Sequence, residues 1–291
     1  MLRALVFLIF LPLNLAFWGT LVFLTGLAKL VTFGSLRRKV ILVAAFFGER
    51  WVATNNWMFD RLLDTRWDIR GMEGVRRDAH TLIISNHISW VDIVAEFRAF
   101  HGRAPIIRFF LKHTLMWAPV VGQAAWALEF PFMRRYSAEY LKQHPEKRGR
   151  DLETTRRACA RYRDMPVPIL NYVEGTRFDR EKHEEQQSPY RYLLRPRIGG
   201  IAFVIASLAD QLDAIYDVTL VYPRRDVTMW DLVSNKIPWI IVHGRRLDVP
   251  AEFRTDAIIE PGPTRDAFKE WVGRIWQEKD DLIGRVLAES E

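Results

Sequence analysis

From Ala4 to Ala28 no position of this 291-residue chain carries a charge. As a helix rising about 1.5 Å per residue, such a run reaches roughly 37 Å. A bilayer core asks for about 20 apolar residues. The segment is therefore long enough to cross a membrane. Pro12 and Asn14 interrupt it, so a kinked helix and a re-entrant hairpin both stay open. A cleaved signal peptide has a shorter apolar region and a small-residue cleavage site after it. The run is too long for that, and no Ala-x-Ala site follows, so an uncleaved anchor is expected.

Charge around the run sets an orientation. Arg3 precedes it, whereas Lys29, Arg37, Arg38 and Lys39 follow. By the positive-inside rule the rest of the chain is expected on the cytoplasmic side, at a bacterial inner membrane. Val40, Val43, Ala44, Phe47 and Trp51 then recur at helical spacing. That second stretch is too short to span; it fits an interfacial helix, a helix packed back on the anchor, or core. The expected division is an anchor with its interfacial helix over 1–60 and a catalytic domain over 61–291.

Composition fits a membrane surface. There are 18 Phe, 11 Trp and 8 Tyr, and Trp favours membrane interfaces. The net charge of +7 suits anionic partners such as phospholipid headgroups, nucleic acid or acidic carriers. No recognised nucleic-acid motif accompanies it. The lone cysteine, Cys159, excludes an internal disulfide and a cysteine-built zinc site. No phosphate loop, His-Glu-x-x-His or Gly-x-Ser-x-Gly motif occurs.

Beyond Arg66, short apolar runs alternate with amphipathic stretches. Thr81–Ser85, Ile169–Val173, Val218–Tyr222 and Trp239–Val242 read as strands. Trp90–Phe100, Asp151–Tyr162 and Ile201–Leu212 read as helices. A last helix carries Phe268, Trp271, Val272, Ile275, Trp276, Leu282, Ile283 and Val286 on one stripe and is expected to dock on the core. The alternation predicts an α/β fold with a mostly buried sheet flanked by helices.

Three segments carry candidate chemistry. Asn86-His87-Ile88-Ser89-Trp90-Val91-Asp92 follows directly on a strand. On one continuous helix, five residues would set His87 and Asp92 about 140° apart. Ser89-x-x-Asp92 is a helix N-cap signature, so the chain turns there and the two side chains can meet. A histidine can take a hydroxyl proton while a carboxylate holds its other ring nitrogen; a capping carboxylate beside a histidine that only satisfies backbone groups fits the spacing equally well. Val173-Glu174-Gly175-Thr176-Arg177 ends a second strand with a glycine turn and an arginine suited to phosphate, or with a simple surface ion pair. Phe130-Pro131-Phe132-Met133-Arg134-Arg135 opens a patch, 134–163, holding ten basic and four acidic residues.

Taken in order, these segments resemble the lysophosphatidic acid acyltransferase family, the 1-acylglycerol-3-phosphate acyltransferases. That family carries Asn-His-x-x-x-x-Asp, an Arg-ended aliphatic motif, Glu-Gly-Thr-Arg and a later aliphatic-Pro motif. Here they match Asn86–Asp92, Phe130–Arg135, Val173–Arg177 and Val218–Pro223. Phe110-Leu111-Lys112 through Gly122 is similar to the family's Lys-then-Pro-Gly stretch. Phe178, Lys182-His183 and Tyr216-Asp217-Val218-Thr219 are closer to a branch acting on lysophospholipids beyond lysophosphatidate. Arg134 stands where an acidic residue is usual.

The resemblance implies a mixed sheet flanked by helices behind a helical membrane-docking segment. It implies an acyltransferase in which His87 is the general base and Asp92 orients it. Arg135 and Arg177 would hold an acceptor phosphate, with Asn86, Glu174, Gly175 and Thr176 shaping that site. The donor would be acyl-CoA or acyl carrier protein and the acceptor a lysophospholipid, with no metal, no cofactor and no nucleic acid. A thioester or phospholipid hydrolase using the same pair, and a non-catalytic lipid-binding protein, are the competing readings.

Overall fold

The computed structural model describes residues 2–133, 143, 160, 162 and 165–290. Helix α1 (Leu2–Leu27) holds the uncharged run and continues as a 3-10 turn over Ala28–Leu30. It folds back on α2 (Gly34–Leu62) as an antiparallel hairpin, with Arg3 Nη1 2.6 Å from Asp64 Oδ2 at its open end. Asn14, which interrupts the apolar run, donates to Asn55 Oδ1 (2.8 Å) and to the Trp51 carbonyl, so the polar group is satisfied by the neighbouring helix. Among the described residues one helix, Arg3–Leu30, is long and apolar enough to cross a membrane.

Two sequence expectations change in this hairpin. The second stretch is not short: α2 has 29 residues, and its buried stripe is Ile41, Ala44, Ala45, Gly48 and Val52, with Val43 exposed. Lys29 is no flanking loop charge. It is buried, and its ammonium donates to the Trp126 and Ala127 carbonyls at 2.9 and 2.8 Å, with Glu129 3.7 Å away. Those carbonyls end the helix Val121–Ala127, where a cation meets the negative end of the helix dipole.

After the hairpin come β1 (Arg66–Arg70), β2 (His80–Ser85), α3 (Val91–Phe100), β3 (Arg108–Phe109), β4 (Leu111–Lys112), α4 (Val121–Ala127), β5 (Phe132–Met133) and β6 (Pro168–Tyr172). Then follow α5 (Arg180–Glu185), α6 (Ile198–Leu208), β7 (Leu212–Val221), α7 (Met229–Val233), β8 (Trp239–Leu247) and α8 (Pro263–Ser290). Strand order in the main sheet is β1-β8-β7-β2-β6-β3; β7 and β8 are antiparallel and the other pairs parallel. The sheet is therefore mixed. β4 and β5 pair separately.

Side chains alternate across the central strands. Leu82 and Ile84 face a core with Ile169, Ile205, Phe268 and Trp276, beneath α6 and α8. Ile83 faces the opposite core with Leu170, Val91, Phe100 and Phe59, beneath α3 and the end of α2. The expected helix over Ile201–Leu212 starts at Ile198 and stops at Leu208, because Leu212 already pairs with His80 in the sheet. β7 and β8 are longer than their apolar runs, since polar Asp213, Asp217, His243 and Arg245 are interleaved at strand period. The stripe of α8 docks on the core as expected. The helix expected over Asp151–Tyr162, with Cys159, falls almost wholly outside the described residues.

Candidate active site

β2, β6 and β7 run parallel, so their carboxyl ends lie along one edge of the sheet. Binding sites favour that edge in open α/β sheets. Asn86-His87 leaves β2 there, Glu174-Gly175 leaves β6, and Tyr222 leaves β7. Asn86 is buried and spends its side chain on one partner: Nδ2 donates to the Leu220 carbonyl (3.0 Å) and Oδ1 accepts from the Leu220 amide (2.9 Å). It fixes the turn where the strand ladder ends and does not reach outward.

The turn is the one read from Ser89-x-x-Asp92. Ser89 Oγ accepts from the Val91 amide (2.9 Å), and Asp92 Oδ2 accepts from the amides of Ile88 and Ser89 at 2.5 and 2.9 Å. The same oxygen lies 2.7 Å from His87 Nδ1. The Tyr222 hydroxyl donates to Asp92 Oδ1 at 2.7 Å. A carboxyl that only accepts, from four donors, is ionised. It fixes the proton on His87 Nδ1 and leaves Nε2 as the free basic nitrogen. Asp92 is fully buried, whereas the His87 side chain is 17% exposed. The Tyr172 ring stacks on the imidazole at 3.9 Å and 11° and fixes its plane.

The Glu174 loop braces this pair from the other side. Glu174 Oε2 accepts from the His87 amide (3.2 Å) and Oε1 from the Leu194 amide (3.0 Å). Burial pushes Glu174 up to about 8; the Leu194 and His87 amides and Arg225 pull the other way. The expected surface pair between Glu174 and Arg177 does not form, because the carboxyl is turned inward onto those amides. Gly175 has φ +69° and Cβ would meet Arg197 Cδ at 3.1 Å, which is why a glycine is needed. Thr176 Oγ1 accepts from Lys182 Nζ (3.2 Å), and the Phe178 amide donates to the His87 carbonyl (2.6 Å). Arg177 is exposed, with its guanidinium 5.5 Å from the Trp90 ring centroid. No described residue forms an ion pair with it. Arg135 and Arg134 lie outside the described residues.

Three groups carried no assigned role in the sequence. Tyr222 precedes Pro223 at the end of β7, and Tyr172 closes β6; only the strand register brings both to His87 and Asp92. Arg225 stacks on Phe178 at 3.8 Å and donates through Nη2 to the Tyr192 carbonyl, so it clamps the Glu174 loop. Beside Trp90 lies an apolar cavity of about 520 Å³. Trp90 and, from α3, Ile93, Val94 and Phe97 line it, together with Leu15 and Val22 of α1 and Val52 of α2. No single run predicts it, because α1, α2, α3 and α4 each supply one wall.

Comparison with known proteins agrees with this architecture. The family model for acyltransferases matches residues 66–223, more than half of the chain. An uncharacterized acyltransferase of Schizosaccharomyces pombe is 24% identical over 71% of this chain and 59% of its own length. The 1-acyl-sn-glycerol-3-phosphate acyltransferase gamma of Mus musculus is 25% identical over 70% of this chain and 52% of its own. The chain thus spans little more than half the length of these curated relatives. The crystal structure of the 1-acyl-sn-glycerophosphate acyltransferase PlsC from Thermotoga maritima shares the fold, with a TM-score of 0.59 at 14% identity over 97% of this chain and 95% of that one. The match covers all four segments in which the resemblance was read, from β1 to Pro223, and this chain belongs to the acyltransferase family.

Proposed function

We propose that the protein transfers a fatty acyl group from an acyl thioester, acyl-CoA or acyl carrier protein, to the hydroxyl of a lysophospholipid held in a membrane. The observation that carries this reading is the His87–Asp92 pair, with Trp90 of the same turn lining an open apolar cavity. His87 Nε2 takes the proton of the acceptor hydroxyl as its oxygen attacks the thioester carbonyl. Asp92 stabilises the imidazolium, and the tetrahedral intermediate collapses by breaking the C–S bond. The imidazolium returns its proton to the leaving thiolate, giving an ester and a free thiol. The step draws only on the two substrates and these side chains, with no acyl-enzyme.

The cavity is the natural place for a fatty chain: apolar, walled by four helices and within the size range of ligand pockets. Arg177, exposed over the Trp90 ring and without an ion-pair partner among the described residues, is free for an acceptor phosphate. Arg135 is proposed as its partner on the strength of the family motif. Asn86 and Glu174, turned onto backbone groups, act as positioning residues. Membrane attachment is supported by the apolar hairpin, and the domain division at about residue 60 by the end of α2.

The test is incubation of the purified protein in vesicles with labelled acyl donor and a panel of lysolipids differing in headgroup. Donor turnover should require a lysolipid. Thioester loss at the same rate with no acceptor would favour the hydrolase reading instead.

A further inference from the structure

The scheme above leaves unexplained the group directly behind Asp92. Glu96 follows it by one turn of α3 and is 1% exposed. Neither of its carboxyl oxygens has a hydrogen-bond partner among the described residues, whereas Asp92 has four donors. The groups facing Glu96 are Asp92 on its own helix, Ser85 at the end of β2 and Lys279 of α8. The phenols of Tyr172 and Tyr222, at the ends of β6 and β7, are close enough for a charge on Glu96 to act on them. The Ser85 hydroxyl donates to the Asn86 carbonyl (3.1 Å). Lys279 spends its ammonium on Asp217 Oδ1 (2.7 Å), the Val218 carbonyl and Thr219 Oγ1. The Tyr172 hydroxyl is buried and likewise without a partner.

An ionised carboxylate there would be unsolvated and would sit one turn from a second one. Burial pushes Glu96 up to about 8; the Ser85 hydroxyl opposes the rise, Asp92 adds to it and Lys279 opposes it. At neutral pH the group is then a neutral acid. We propose that Glu96 is a positioning residue of the His87–Asp92 pair, held protonated so that Asp92 is the one negative charge beneath the imidazole, and that its ionisation disables the base. When Glu96 releases its proton, two buried carboxylates favour the imidazolium. His87 then holds a proton and cannot take one from an acceptor.

The rate consequence rests on the acyl-transfer reading; the titration does not. Two measurements on the full-length protein in vesicles separate them, each comparing wild type with Glu96→Gln. Infrared spectra of protein labelled at the glutamate carboxyl carbon report protonation. Glu174 contributes the same band to both proteins, so the reading is the wild-type minus Glu96→Gln difference: at pH 7 it should hold one protonated-acid band that titrates away near pH 8. Diethyl pyrocarbonate modifies histidine only as neutral imidazole, and its rate at the His87 side chain is read by mass spectrometry. From pH 7 to 9 the ratio of that rate to the Glu96→Gln rate should fall at least threefold, and acyl transfer should follow it. Glu174 is unchanged in both proteins, so its own ionisation cancels. A difference spectrum without that band, or parallel His87 modification profiles, would overturn the proposal; where the variant does not fold, the absence of any protonated-acid band from wild type at pH 7 overturns it. Absence of acyl transfer alongside both expected results would sink the function and leave Glu96 as assigned.

Discussion

At His87 the structure offers a nitrogen base whose other side is held by an ionised carboxylate 2.7 Å away. General-base assistance of this kind accounts for about a hundred- to ten-thousandfold in rate. His87→Ala should lose acyl transfer by that margin with unchanged circular dichroism, and near-normal turnover in the folded variant would remove His87 from the mechanism. Tyr222→Phe deletes one of four donors to Asp92 and should lower kcat about tenfold with little change in either KM, roughly one hydrogen bond to a charged group. Arg177→Lys keeps the charge and loses the planar fork; it should raise the acceptor KM and leave the donor KM unmoved, as bisubstrate kinetics would read. Of these residues, His87, Asp92 and Arg177 are legible in the sequence because a strand end, a capping signature and a glycine turn sit in the same short segments. Tyr222 is not, since nothing local distinguishes a tyrosine that caps a core strand from one that holds a catalytic carboxylate 130 positions away.

The first two turns of α3 carry two buried carboxyls with opposite surroundings, and this has a thermodynamic signature at the level of the element. Asp92 is saturated with donors, whereas among the described residues Glu96 is faced by the Ser85 hydroxyl alone, and burial raises its pKa from 4.5 to about 8 on folding. Between those values the unfolded chain has released the Glu96 proton while the folded chain still binds it. Stability therefore falls as pH rises from about 4.5 to about 8 and levels off above. At 1.4 kcal/mol per unit the face value is about 5 kcal/mol, and the carboxamide of Glu96→Gln should recover about 2–4 kcal/mol of it at pH 8 and little at pH 5. Thermal unfolding of the two proteins across that range checks this, and a Tm difference that is flat in pH would contradict it. α3 itself is plainly written in the sequence, as are β2, β6 and the stripe of α8, because their apolar periodicity is uninterrupted. The full lengths of β7 and β8 are obscured by charged residues interleaved with apolar ones. Those charges are satisfied by Arg245 and Lys279 pairing with Asp217, long-range contacts invisible to a local reading.

On the scale of the molecule, the proposed function requires the His87–Asp92 pair at the sheet edge to meet a lipid. The hairpin answers with two faces. Its inner face packs on α4 so closely that a Cβ on Gly26 would fall 2.3 Å from Ala127 Cβ. Its outer face leaves Leu5, Leu8, Ile9, Leu13, Phe17 and Leu24 of α1 exposed, with Phe46 and Trp57 of α2. At its tip Val31 and Phe33 are 77% and 79% exposed, followed at once by Arg37, Arg38 and Lys39. An apolar patch bordered by basic residues is the pattern of a surface that sinks into anionic lipid. The long run of uncharged residues announces membrane contact, but not that its inner face also walls the cavity beside Trp90; that requires knowing where α1 docks. Burying two such side chains contributes about 1.5–3 kcal/mol each. Val31→Ser with Phe33→Ser should therefore weaken binding to anionic vesicles by about two to four orders of magnitude at fixed salt. Replacing Arg38 and Lys39 with glutamine should instead flatten the salt dependence. Because the tip lies outside the catalytic elements, transfer to a soluble short-chain acceptor should persist in both variants while transfer to a membrane-resident acceptor drops. Vesicle flotation with parallel assays on the two acceptors makes the test, and unchanged flotation of the double serine variant would place the lipid-binding surface elsewhere on the hairpin.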